Sequence, residues 1–343
     1  MDYVPKGIVN LGNTCFLNSV LQILSQSKEL NKLFDSKEIL IDQTKVEKEV
    51  YNSWNDMRLM LHNSETKGQI VPRGIIKWFL EVAKNRKYDG FVIGQPCDTS
   101  EFLQFFVDCL HECLKRSMNI TVNGDAETEI DNLAIKAYTV WKKTHEDDYS
   151  ELKDLFFGIM VSSICAMNSS KVHSHSCEIF FTIDLPVSTS TKKLGSIYEC
   201  LDVFTEAEEM VGKNAWYNDQ TKTYEDVKKH IMFWNLPSIL VICLKRFSMD
   251  GMSKENHSIK FPLELDMNPY VCGYNRTNNH YELFGVCNHF GNLHKGHYTN
   301  YVKNKFDVWY HCNDEIVQEL KDTNQIQSLL AYCLFYRKKN SDV

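Results

Sequence analysis

The strongest constraint on this fold is a change of texture near residue 155. Before that point apolar residues recur at helical spacing; after it come short runs that alternate or are rich in β-branched residues. Segments around Cys15–Lys28, Glu47–Asn63, Arg73–Ala83 and Thr99–Lys115 each carry an amphipathic helical period. Pro72 sits where a helix starts, and Asp98-Thr99-Ser100-Glu101 offers N-capping side chains. Asn119–Asp131 is polar and acidic and reads as a loop, followed by a helix over Asn132–Lys143. Strands are expected near Phe157–Ile164, Glu178–Leu185, Ile239–Leu244, Tyr281–Asn288, Tyr298–Lys303, Val308–Cys312 and Ala331–Arg337. Helices first and strands later predict an α+β protein with its active site between two lobes. With no internal repeat, low-complexity tract or long linker, a single catalytic unit over 1–343 is the simplest organisation, helical to about 150 and β-rich from about 151 to 338.

The chain is long enough to bury a large core at 343 residues, and 43% of them are hydrophobic. No apolar run approaches a membrane span, and the N-terminus has no signal-like apolar stretch. The 12 cysteines are scattered singly, which suits a reducing compartment, the cytosol or nucleus. A net charge of -7 argues against nonspecific nucleic-acid binding and allows a basic partner. A monomer that binds neither membrane nor nucleic acid is the expectation.

Three short stretches carry chemistry. In Asn10-Leu11-Gly12-Asn13-Thr14-Cys15, a glycine-containing turn leads into Cys15, and Phe16, Leu17, Val20, Leu21 and Leu24 then recur as a buried helix. A cysteine there meets unpaired amides and the positive end of the helix dipole, which favour the thiolate a nucleophile needs. A buried structural cysteine is the commoner reading of such a position taken alone. The second stretch runs from Tyr281 through His289, Gly291, Gly296 and His297 to Tyr301: a strand, a glycine-bounded loop and a second strand. It holds His297 on rigid backbone at the mouth of a sheet, placed to take a proton from Cys15. The glycine spacing is that of a phosphate loop, but the Lys-Ser/Thr pair is absent. The third stretch, Trp309-Tyr310-His311-Cys312-Asn313-Asp314, ends a strand in polar groups able to orient an imidazole.

Taken together, these stretches resemble the ubiquitin-specific proteases, the papain-like deubiquitinases. The similarity is carried by Gly7–Ser19, by Tyr281–Tyr301 and on through Trp309 to Val317, by Leu244-Lys245-Arg246-Phe247 and by Ala331–Tyr336. The resemblance covers about residues 7 to 338 and implies a papain-like fold with a helical thumb, a β-rich palm and a finger-like antiparallel sheet. It implies Cys15 as nucleophile, His297 as general base and then acid, and Asn313 as the residue orienting His297. Asp314 would assist or substitute, and Asn10 would help stabilise the oxyanion with the Cys15 amide. Ubiquitin and ubiquitinated proteins are the implied partners. Asp98 and Glu101 match the family's acids for the basic ubiquitin tail, while His289 and Tyr298 would line the channel for its two terminal glycines. Capping of their own helix is an alternative use for both acids.

Two departures from the family pattern stand out. Pro96 and Cys97 replace the two glutamines that usually precede the tail-binding Asp. No Cys-x-x-Cys pair exists, so the family's structural zinc site in the fingers is missing. Cys165, His173, His175 and Cys177 are the conceivable substitute, although Lys171–Ser176 reads as a polar hairpin tip with solvated histidines; the expectation is no metal and no cofactor. An inactive ubiquitin-binding module and a protease for another ubiquitin-like modifier remain alternatives to an active deubiquitinase.

Overall fold

Periodic burial of apolar side chains builds the first lobe around one central helix. In the computed structural model, residues 4–36, 45–92, 94–95, 97–169, 171–248, 253–292 and 295–339 are described. Helix α1 (Cys15–Ser25) is buried on every face, its polar Asn18, Ser19 and Gln22 included. It packs on α2 (Lys28–Ser36) and α5 (Thr99–Leu114), and α5 in turn carries α3 (Glu47–His62), α4 (Arg73–Asn85) and α7 (Glu151–Phe156). Trp54 of α3 meets Phe106 of α5 edge-on at 5.5 Å, and Phe16 of α1 meets Phe102 of α5 at 5.4 Å. Such aromatic pairs fix helix spacing as well as excluding water.

The remaining helices are α6 (Glu129–His145) and α8 (Ile197–Thr205). Helix α6 begins three residues before the expected Asn132, because Thr128 and Asp131 form a capping box that satisfies both ends of its first turn. Three helices lie outside the expected set: α2, α7 and α8. The first expected helix runs to Lys28, whereas α1 stops at Ser25 and α2 starts anew. Helix α7 has only 6 residues, too few for a period to register. Among the described residues no helix is long and apolar enough to cross a membrane.

Strands begin at Gly158, as the texture change predicts, and form two main sheets. The fingers are β1 (Gly158–Ala166), β2 (Val172–Phe180), β4 (Glu208–Met210) and β7 (Val227–Asn235), in the order β2-β1-β7-β4 and antiparallel throughout. A small hairpin of β5 (Trp216–Asn218) and β6 (Thr223–Glu225) is attached. The palm sheet adds β3 (Thr182–Pro186), β8 (Ile239–Lys245), β9 (Glu264–Asp266), β10 (His280–Gly291), β11 (Gly296–Lys303), β12 (Trp309–Asn313), β13 (Ile316–Glu319) and β14 (Ala331–Lys338). Its order is β13-β12-β11-β10-β14-β8-β3, with β9 on the far end of β10. Helix α1 lies directly on this sheet: a side chain at Gly285 would come within 2.5 Å of Ile23, so only glycine permits the approach. That contact sets the N-terminus of α1 opposite the β10–β11 hairpin.

Candidate active site

Cys15 opens α1 after a turn that uses two left-handed residues, Gly12 at φ 100° and Asn13 at φ 55°. The Asn10 side chain shapes that turn. Its Oδ1 accepts hydrogen bonds from Gly12 N at 3.0 Å, Thr14 N at 3.2 Å and Thr14 Oγ1 at 3.2 Å. No side chain caps the first turn of α1 and no acid stands in it, so free amides and the positive dipole end converge on Cys15.

His297 stands on β11, the strand that packs against α1. Its Nε2 is 2.7 Å from Asn313 Oδ1 at the end of β12, which leaves Nδ1 as the ring nitrogen available to a thiol. The Cys15 side chain beside the ring, opposed by burial and reinforced by Asn313 and the charge of Asp314, lifts His297 to about 9. Asp314 follows at φ 50°, with its carboxylate 3.8 Å from His297 Nε2. It is tied up elsewhere: Asn18 Nδ2 donates to Oδ1 at 2.8 Å, Asn10 Nδ2 donates to Oδ2 at 2.8 Å, and Ile8 N donates to its carbonyl at 2.9 Å. Asn313 is thus the direct partner of the imidazole. Asp314 fastens the turn before Cys15 to the strand pair that carries His297.

A cleft of about 230 Å³ leads away from Cys15, lined by Gly90, Cys97, Asp98, Glu101, Phe247, His289, Gly296 and Tyr298 among others. Asp98 caps α5: Oδ1 accepts from Ser100 N at 2.7 Å and Glu101 N at 3.3 Å, while Oδ2 accepts from the Tyr332 hydroxyl. Glu101 accepts from the Tyr88 hydroxyl. Capping and a place in the cleft therefore coexist for Asp98. His289 is buried and held down at about 4 by that burial and by the nearby Lys254 cation. Its ring packs on Tyr298 at 4.6 Å, and burial pushes the Tyr298 hydroxyl far up. Cys97 also faces the cleft, its thiol pushed well up by burial and by the Glu101 and Asp98 carboxylates. Pro96 lies outside the described residues.

All nine residues singled out from the sequence gather here, from five separate segments of chain. Four supporting side chains were not among them. Asn18 and Tyr332 lie inside recognised stretches, but their roles appear only when distant strands meet. Tyr88 and Lys254 lie in connecting segments without a local pattern.

The fingers look different. Lys171–Ser176 is not a hairpin tip: β2 already runs from Val172, and the turn precedes it. His175 Nδ1 pairs with Ser163 Oγ at 2.8 Å, the His173 ring lies 5.8 Å from Trp216, and Cys177 packs beside the cluster under α6. Among the described residues, the set of His, Cys, Asp and Glu side chains within ligating reach is His111, Glu112 and Asp148. That set is crowded by Lys115, 2.7 Å from Glu112, and by Lys153, 3.7 Å from Asp148. Cys165, His173, His175 and Cys177 do not form one.

The chain belongs to the ubiquitin carboxyl-terminal hydrolase family, whose profile matches residues 6–336. It is 30% identical over 340 residues to ubiquitin carboxyl-terminal hydrolase Usp2 of Drosophila melanogaster, covering 97% of this chain and 34% of that protein. It is 27% identical over 364 residues to probable ubiquitin carboxyl-terminal hydrolase 4 of Schizosaccharomyces pombe, covering 99% and 59%. The chain thus spans about a third to three-fifths of the length of these relatives. Among solved structures, it superposes with a TM-score of 0.71 at 22% identity on the SAGA DUB module of Ubp8, Sgf11, Sus1 and Sgf73 bound to monoubiquitin, covering 98% of this chain and 69% of that one. The same module bound to ubiquitin aldehyde gives 0.69 at 24% identity, covering 98% and 70%. These matches establish the α+β fold of the ubiquitin-specific proteases.

Proposed function

We propose that this chain is a cysteine deubiquitinase that hydrolyses the (iso)peptide bond after the C-terminal glycine of ubiquitin. One observation carries the reading: Cys15 and His297, 282 positions apart in sequence, come together at the end of a cleft, with Asn313 behind the imidazole. A thiol beside an imidazole has at hand the base that its activation requires.

In this reading the Cys15 sulfur attacks the glycine carbonyl and forms a C–S bond. The C–N bond breaks as His297 gives its proton to the leaving lysine amine. Water, deprotonated by His297, then cleaves the thioester and frees the carboxylate. Asn313 holds the ring in line without adding charge. The Cys15 amide, at the bare start of α1, stabilises the oxyanion together with Asn10. One Asn10 amide hydrogen is committed to Asp314, so a single N–H remains for that task.

Asp98 and Glu101 supply carboxylates for a basic tail, and His289 and Tyr298 wall a slot that suits glycines. The family membership supports ubiquitin as the partner, as do two structural neighbours, modules bound to monoubiquitin and to ubiquitin aldehyde. We further propose that the chain acts as a single copy in the cytosol or nucleus, which its free cysteines suit. Release of a fluorophore from the C-terminus of ubiquitin tests the activity. The wild type should turn over and Cys15→Ala should not; equal rates for the two would refute it. Loss of turnover when another ubiquitin-like modifier replaces ubiquitin would fix the substrate class.

A further inference from the structure

Two described stretches between β8 and β9, 246–248 and 253–263, meet beside the cleft that Phe247 lines. Phe247 and Lys254 pair there as an isolated antiparallel bridge, and Ser248 N donates to Ser253 O at 3.1 Å. Arg246, fully buried, fastens the two stretches: its Nη1 donates to the carbonyls of Glu255 and His257, each at 2.9 Å, and its Nε to that of Ala331 at 2.7 Å. The outcome is a lysine side chain held over a histidine. Lys254 Nζ lies 2.9 Å from His289 Nδ1 and 2.6 Å from the His289 carbonyl oxygen.

The chemistry of this contact has one solution. An ammonium has donors and no acceptor, so His289 Nδ1 must accept and the ring proton must sit on Nε2. Burial and Arg246 bring Lys254 down to about 8, which leaves it mostly charged at neutral pH. Nε2 in turn lies against the backbone just ahead of His297, since a Cβ at Gly296 would fall 2.1 Å from it. Tyr298 at 4.6 Å and Phe247 at 5.5 Å, ring to ring, hold the imidazole plane.

We infer that Lys254 is a positioning residue: by donating to both Nδ1 and the carbonyl of His289, it fixes the neutral Nε2–H tautomer, so that His289 offers a hydrogen-bond donor to the backbone of the bound tail. This rests on the deubiquitinase reading and deepens it, because Lys254 becomes part of substrate binding. The other groups facing His289 are Asp98 at the start of α5, His297 and Tyr298 on β11, and Tyr332 on β14. Asp98, the one anion among them, is already engaged by two α5 amides and Tyr332. Lys254 is therefore the group that decides the tautomer.

Two readouts test it on Lys254→Met and Lys254→Arg. In hydrolysis of the ubiquitin–fluorophore substrate, loss of one oriented donor should raise KM about tenfold in Lys254→Met, with kcat within about twofold. The arginine variant, which keeps a donor, should recover most of the loss. Wild-type KM should stay flat from pH 7 down to 5.5. In Lys254→Met the excess KM should shrink as pH falls and His289 takes up a proton, because an imidazolium carries an N–H at Nε2 in every case; burial, the larger cause of its lowered value, keeps that change toward the acid end of the range. Nitrogen-15 NMR of the His289 ring should show the Nε2–H tautomer in wild type and a mixture in Lys254→Met. An unchanged KM and pH profile, a fall in kcat alone, or an undisturbed tautomer in Lys254→Met would each overturn the inference. A wild type that hydrolyses nothing would instead remove the parent reading, and the NMR result would still decide whether Lys254 sets the tautomer.

Discussion

The cleft and the fingers solve the problem of holding distant chain together in opposite ways. At the cleft the fastenings are polar and specific to residue identity: Asn10 and Asn18 on Asp314, Asn313 on His297, Tyr332 on Asp98. In the fingers they are mostly apolar and generic. Leu133, Ala134 and Ala137 of α6 pack on Ile159 and Val161 of β1 and on Trp234 of β7. Tyr138 and Tyr274 meet the Trp234 ring at 5.9 and 5.4 Å. Helix α6 thus braces the finger sheet through this apolar cluster. Chemistry requires particular atoms at particular places, whereas a brace requires only buried area.

The difference can be broken experimentally, and the sharpest break is at the sulfur. Cys15→Ala should cut hydrolysis by about 10⁴-fold or more while leaving ubiquitin affinity and melting temperature unchanged. Titration calorimetry beside the fluorescent assay would separate the two. The fingers should respond the other way round. Trp234→Ala should cost about 3–5 kcal/mol of stability by emptying the cluster under α6, read by denaturant unfolding, with residual activity tracking the folded fraction. A loss of kcat without a loss of stability would mean that the two regions are not separable.

A smaller effect should follow at Asn313. Replacing it with Ala should lower kcat by roughly ten- to a hundredfold, less than loss of His297, because the Asp314 carboxylate is close enough to steady the ring in part. The pH profile sharpens this. His297, raised to about 9, keeps its proton through neutral pH and loses it as pH rises through that value. Activity should fall along the same limb as the leaving amine loses its acid. Without the Asn313 hydrogen bond the limb should move to lower pH, and an unmoved limb would show that Asn313 does not act on the ring. The smallest effect is none at all: EDTA should leave both the melting temperature and the rate unchanged. A drop in melting temperature would replace the apolar brace with a metal.

How well each region could be read from sequence follows from the same contrast. Cys15, His297 and Asn313 were legible because each sits in a long stretch whose residue types are dictated atom by atom. Helices α3, α4 and α5 were legible because each buries a single face, so the period survives. Strands β2 and β7 were read only in part or not at all. Val172–Phe180 carries His173, Ser174, His175 and Ser176 on an edge strand that buries little, and Val227–Asn235 opens with two lysines and a histidine. Neither alternates cleanly, since polar residues occupy positions that a two-sided core would make apolar. Tyr88 and Lys254 were invisible for another reason. Each acts through one contact, with Glu101 and with His289, that only the tertiary fold creates.

Two thiols border the cleft, and an electrophile must choose between them. Intact-protein mass spectrometry and peptide mapping after reaction with a ubiquitin C-terminal electrophile should show a single adduct, on Cys15, lost in Cys15→Ala. Cys97 should stay unmodified, because burial and the carboxylates of Glu101 and Asp98 keep its proton in place. No adduct, or an adduct on Cys97, would show that the pairing of Cys15 with His297 does not make the nucleophile.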